Sequence, residues 1–283
     1  MPIFISLFIF FVRMKGLEPP RLSTLDPKSN AATNYATSAG FFWSAKIYFF
    51  LLICKKKNMT KIYPETLQFL SELKKNNNRE WFQKQKSEYV MIRKNFEDFA
   101  YVLLENLKSF DITLLNIDIK QSLFRIYRDV RFSPNKEPYK THFGVYFAKN
   151  GGKNSNLAGY YFHLDPEESF FGGGIYMPIP EYLKTIRKEI FYQIDDFKLI
   201  INAPSFKNYY DGIEEIDKLK KAPSDFPKDF PEIELLKNKH FFSSHYFNPQ
   251  DSQQDNFINY VTNGFKAVKP LVDFINFSVE QDV

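Results

Sequence analysis

The sequence predicts an α+β domain: an antiparallel β-meander of about four or more strands, packed with N- and C-terminal helices. Three observations predict it. Apolar residues recur at spacings of three and four at both ends of residues 59–283, the stripe of a half-buried helix. Between those ends they alternate with polar residues, the period of a strand with two unlike faces. The connections between alternating runs are short and rich in Gly, Pro, Asn and Asp, which favours hairpins over crossovers.

Pro64 to Lys75 opens with Pro and Glu, both helix-start residues. After Asn76 to Asn78 one long helix is expected from Arg79 to about Leu107, with Phe82, Tyr89, Ile92, Phe96, Phe99, Leu103 and Leu107 on one stripe. From Leu123 the period becomes two. Phe124, Ile126, Val130 and Phe132 alternate with Arg125, Tyr127, Asp129 and Arg131, which predicts a first strand, and Ser133 to Thr141 reads as a loop. Phe143, Val145 and Phe147 predict a second strand, with Lys149 to Asn156 as the next hairpin loop. Gly159 to Asp165 and Ser169 to Met177 predict two more around the turn Asp165 to Glu168. Beyond Pro178, Leu183, Ile186, Ile190, Ile194 and Phe197 form a helical stripe. Residues 218–240 read as a proline-punctuated loop leading into a short helix, and a last helix runs from about Ser252 to Phe277, with a kink expected at Pro270.

Residues 1–58 do not follow this plan. The apolar runs 3–12 and 41–54 fall short of the roughly 20 residues that a spanning helix needs, and no positive segment precedes the first, as it would in a signal peptide. The stretch between them resembles a translation of the strand opposite a transfer-RNA gene. It is read as a non-native, disordered upstream extension, with a single domain over 59–283 that begins at Met59 and, on that reading, no membrane partner; the rival reading is a weak N-terminal membrane segment with a polar linker. The lone cysteine, Cys54, lies there too, so the domain has no disulfide framework and fits a reducing cytoplasm.

The net charge of +5 also comes from that stretch. Removing its eight cations and two anions from the 38 and 33 of the whole chain leaves 30 and 31. A near-neutral domain argues against bulk polyanion binding. What stands out is local. Arg125, Arg128, Arg131, Lys136, Lys140 and His142 fall between Leu123 and His142.

Several segments in combination carry a resemblance: Arg79-Glu-Trp-Phe, Phe124 to Phe132, Lys136-Glu-Pro-Tyr-Lys-Thr-His, Gly159-Tyr-Tyr-Phe-His-Leu, Gly172-Gly-Gly-Ile-Tyr-Met-Pro and Leu219-Lys-Lys-Ala-Pro. Together they resemble the family catalogued as domain of unknown function 2461, over essentially 59–283. The resemblance supplies no activity, and any cofactor stays unknown. It implies that the arginine-rich segment is a family feature, and it supports Met59 as the start.

In a regular strand Arg125, Tyr127, Asp129 and Arg131 share a face. Arg125, Tyr127, Arg131, Lys136, Lys140 and His142 are therefore the candidate contacts for a phosphate or carboxylate, which guanidinium groups grip well. Arg128 would face the apolar side and need a carboxylate. It and Asp129 are assigned to structural ion pairing, and a broken buried pair would cost about 3–5 kcal/mol. His163, two residues from Asp165, is the candidate proton carrier. No HxxxH, HExxH or Cys pairing appears, so no metal centre is expected. Gly172-Gly-Gly lacks the Lys-Ser/Thr of a phosphate loop and suggests close backbone approach. The leading reading is a domain binding a small anion on this face, with or without a reaction. Two others fit the same residues: a non-enzymatic module for protein or single-stranded nucleic acid, and an Arg–carboxylate network that only stabilises the sheet.

Overall fold

The computed structural model describes residues 59–281, so the expectations for residues 1–58 concern residues outside it. Helix α1 spans Pro64–Lys75, with Pro in the first turn, where no N–H is needed. Asn78 caps α2 (Arg79–Lys84) by accepting from the Trp81 N–H. The long helix expected from Arg79 is broken at Gln85, after which α3 runs Lys86–Lys108. Its stripe Ile92, Phe96, Phe99, Leu103 and Leu107 is fully buried, as the periodicity requires. Short helix α4 (Ile119–Ser122) then leads into the arginine-rich segment.

The sheet has four strands in the order β1 (Phe143–Ala148), β2 (Gly159–Leu164), β3 (Ser169–Ile175) and β4 (Phe241–Phe247), all antiparallel. Its α+β class is the expected one, but one strand differs. Leu123 to Phe132 is not a strand. Leu123 makes one bridge to Val145 and the Phe124 N–H donates to the Gly144 carbonyl, after which the chain leaves the sheet. A narrow ribbon follows: the Arg128 N–H donates to Pro138 and the Lys140 N–H to Ile126. Pro134 and Pro138 have no N–H to extend it, and Phe132, assigned to the apolar side by alternation, is 94% exposed. The fourth strand is instead β4. It follows a helical excursion through α5 (Pro180–Tyr192), α6 (Ile194–Asn202), α7 (Pro204–Lys207) and α8 (Ile233–Leu236). The stripe expected across Leu183 to Phe197 is divided at Gln193, between α5 and α6.

The last helix, α9, spans Phe257–Glu280 with Pro270 inside it. It lies against β3 so closely that two glycines are needed. A Cβ on Gly173 would sit 2.6 Å from the Val268 side chain, and one on Gly264 2.2 Å from the Phe171 ring. The glycine run therefore serves close backbone approach, not a phosphate loop. Phe143, Val145, Phe147, Tyr160, Phe162 and Phe171 point from one sheet face into a single core with α3 and α9. The Tyr160 hydroxyl donates to Asp111 at 2.7 Å, satisfying both groups inside it. Among the described residues no long helix packs on the other sheet face, which lines a cavity.

Candidate functional site

Strand alternation and register fix what the open face presents. His163, Phe170 and Tyr246 lie in one cross-strand row, and Tyr146, Tyr161, Gly172 and Ser244 in the next. Gly174 and Phe242 follow in a third. Glycine and serine lower the floor while aromatic rings rise around it. The result is a cavity of about 610 Å³, walled by Phe124, Phe170, Phe242 and Tyr246 and by the segment Tyr176 to Ile179. That is the size of small-molecule clefts, which are mostly apolar with a few polar groups. Tyr176 and Met177 on the rim are 61% and 68% exposed, an unusual placing for large apolar side chains. The Tyr146 hydroxyl donates to the Leu157 carbonyl at 2.8 Å, and burial pushes its pKa up, as it does that of Tyr161.

The two ends of the cavity differ in charge. At the Phe124 end the Lys140 ammonium lies 4.9 Å from the centre of that ring. Burial lowers its pKa, and Arg125 lowers it further. Among the described residues no carboxylate forms an ion pair with Lys140, and Arg125 acts on Asp129 only at longer range. Lys153 also lines the cavity. Toward β4 stand Glu168 and Glu214, which raise the Tyr246 pKa on top of the effect of burial.

His142 and His163 lie beside the Phe124 end, with ring centres 4.3 Å apart. Burial pushes His142 down to about 4 and His163 down to about 3. Lys140 adds to both effects; Asp165 opposes it at His142, and His142 contributes at His163. Both imidazoles are neutral at neutral pH. A base that weak accepts a proton poorly there, which weighs against His163 as a proton carrier. The remaining histidines have structural partners. His240 Nδ1 accepts from the Met177 N–H, and His245 is held between the Tyr209 carbonyl and the Tyr260 hydroxyl.

The other sequence-predicted residues lie on the ribbon, apart from the cavity. Arg131 grips Asp129 at 2.7 Å in solvent, and that hydrogen bond lowers the Asp129 pKa to about 2. The Lys136 ammonium donates to the Val130 carbonyl at 3.0 Å. Tyr127 bridges to Tyr139 and is 44% exposed. Arg128 does not face a core. Its guanidinium meets Glu137 at 3.5 Å, partly exposed, beside a small cleft of about 260 Å³ that also holds Arg79 and Gln83. Arg128→Ala is therefore expected to cost no more than about 1 kcal/mol in urea unfolding, not the several expected for a buried pair. A loss above about 3 kcal/mol would restore the buried-pair reading.

So the structure brings Lys140, His142 and His163 together near the cavity, with Arg125 close by, and leaves Arg131 and Lys136 elsewhere. Sequence reading missed the cavity's β4 wall and the pairing of His142 with His163. The aromatic-rich run Phe241 to Phe247 was the available signal for the first; nothing local signals the second. Among the described residues no helix is long and apolar enough to cross a membrane. No curated protein and no solved structure matches the chain. One family does match, over residues 65–274, and on that extent the chain belongs to the conserved hypothetical protein family DUF2461.

Proposed function

We propose that the open sheet face binds a small amphipathic molecule whose apolar body fills the aromatic cavity and whose carboxylate or phosphate meets Lys140, with Arg125 behind it. One observation carries this reading: a half-buried ammonium without a counter-ion, stacked on a ring that lines a cavity of about 610 Å³. A cation kept from water without a partner is costly, and an incoming anion removes that cost. Glu168 and Glu214 at the far end disfavour a long polyanion lying along the face, so a small ligand is preferred to single-stranded nucleic acid.

The test is a thermal-shift screen of the full chain against aromatic and aliphatic carboxylates and phosphates, followed by calorimetry on hits. Lys140→Met is expected to weaken a hit by about 10- to 100-fold, the worth of a charged hydrogen bond of about 1.5–3 kcal/mol. Ser244→Phe, which fills the floor, is expected to abolish binding while the far-UV spectrum is kept. No stabilisation by any acid, or equal affinity in Lys140→Met, sinks the reading.

A further inference from the structure

We infer that His142, His163 and Asp165 form a binding site for a divalent transition-metal ion of the zinc type. One donor atom from each lies within 4.8 Å of the other two. The β1–β2 ladder creates the arrangement. Its last pair is Phe143 with Leu164, and Gly144 pairs with His163. One further step along the same register sets His142 beside Asp165. His163 on β2 and Asp165, one residue past its end, then share a sheet face with their cross-strand neighbour His142.

Five details favour a shared ion over mutual pairing. Among the described residues no hydrogen bond or ion pair joins either imidazole to Asp165, although the three converge. Donor atoms within 4.8 Å of one another are within reach of one ion, since ligands on tetrahedral zinc stand about 3.3 Å apart. The Tyr161 hydroxyl lies 2.9 Å from His163 Nδ1 and Phe170 stacks on the same ring at 4.8 Å, fixing its plane and leaving Nε2 for a metal. Asp165 Oδ1 accepts from the Glu167 N–H at 2.9 Å, which anchors the carboxylate, and Oδ2 has no hydrogen-bond partner among the described residues. Neither ring nitrogen of His142 has a hydrogen-bond partner among the described residues.

Two imidazoles and one carboxylate suit zinc, cobalt, nickel or iron(II), while magnesium and calcium prefer all-oxygen sets. Three protein ligands leave positions open for water or a ligand's acid group. Lys140 opposes a dication at this place, so the site is expected to hold zinc less tightly than a closed structural centre. The inference does not depend on the acid-binding reading, because its test uses the metal alone.

The full chain is stripped with a chelator and titrated with zinc by calorimetry, and with cobalt by visible absorption. One ion per chain is expected, with a d–d spectrum of low-coordinate nitrogen and oxygen ligation and a zinc-dependent rise in melting temperature. His142→Ala, His163→Ala and Asp165→Asn are each expected to weaken zinc by about 100-fold or more, and Tyr161→Phe by about 10-fold. His240→Gln is expected to leave it unchanged. Absence of binding, undiminished binding in His142→Ala and His163→Ala, or a thiolate charge-transfer band pointing to Cys54 overturns the assignment. Should the alanine variants fail to fold, the cobalt spectrum of the native chain and the Tyr161→Phe titration decide: an all-oxygen spectrum, or no change in Tyr161→Phe, rejects the site.

Discussion

Phe171→Ala is expected to lower the unfolding free energy by about 3–5 kcal/mol, the range for removing a fully buried phenylalanine. Its ring, at zero exposure, packs within 5.1–6.3 Å of Tyr209, His245, Phe247, Tyr260 and Phe265. It also fills the notch above Gly264, where a Cβ would stand 2.2 Å from it. Gly264→Ala has two opposed effects. In an exposed helix, alanine would gain about 1 kcal/mol over glycine. Against the rigid ring it is expected to lose about 1–3 kcal/mol net through overpacking. In the Phe171→Ala background the obstruction is gone, and Gly264→Ala should be neutral or stabilising. Urea unfolding of the four chains measures this reversal of sign. If Gly264→Ala stabilises the native chain, the close seating of α9 on β3 is wrong.

The second large effect is acid sensitivity of the metal-free protein. An unfolded imidazole titrates near 6.5, whereas the folded His142 and His163 are held down at about 4 and about 3, first by burial. Between those values and 6.5 the unfolded chain binds more protons, so stability falls as pH falls. Their contribution is fully present above about pH 7, declines through pH 6 and 5, and levels off only below pH 3. For the pair the loss by pH 4 is on the order of 5 kcal/mol, a large part of a typical domain's stability. Paired carboxylates such as Asp129 also favour unfolding in acid, so the comparison must be with a His142→Gln, His163→Gln chain. Urea midpoints measured with a chelator from pH 8 to pH 4 should fall less steeply in that double variant. Equal slopes would mean that the two imidazoles are hydrated and unshifted.

Much of the fold was legible because it is written in local periods. The stripe from Ile92 to Leu107 and the alternation in β1, β2 and β3 each declare a buried face within a few residues. Leu123 to Phe132 shows where that logic stops. It alternates as a strand does, yet only Leu123 finds a bridge on the sheet; beyond Phe124 the segment pairs with its own return, Arg128 with Pro138 and Lys140 with Ile126, and not with β1. β4 was missed for the converse reason. Phe241 to Phe247 has the aromatic pattern, but its partner β3 lies more than 60 residues earlier, across helices and prolines. The candidate site was partly legible. Lys140, His142 and His163 were singled out by residue type, but their meeting depends on the β1–β2 register, and the cavity depends on β4 completing the floor.

The bridge from Leu123 to Val145 also bears on how copies of this chain behave toward one another. An outermost strand offers unpaired N–H and C=O groups to any passing chain. Here the Phe124 N–H occupies the Gly144 carbonyl on the outer side of β1, and the segment then turns away carrying three arginines, two lysines and two prolines. An approaching strand meets like charge and residues unable to extend a ladder. The arginine-rich segment thus covers part of the outer edge of β1 with a stretch that offers no ladder to extend.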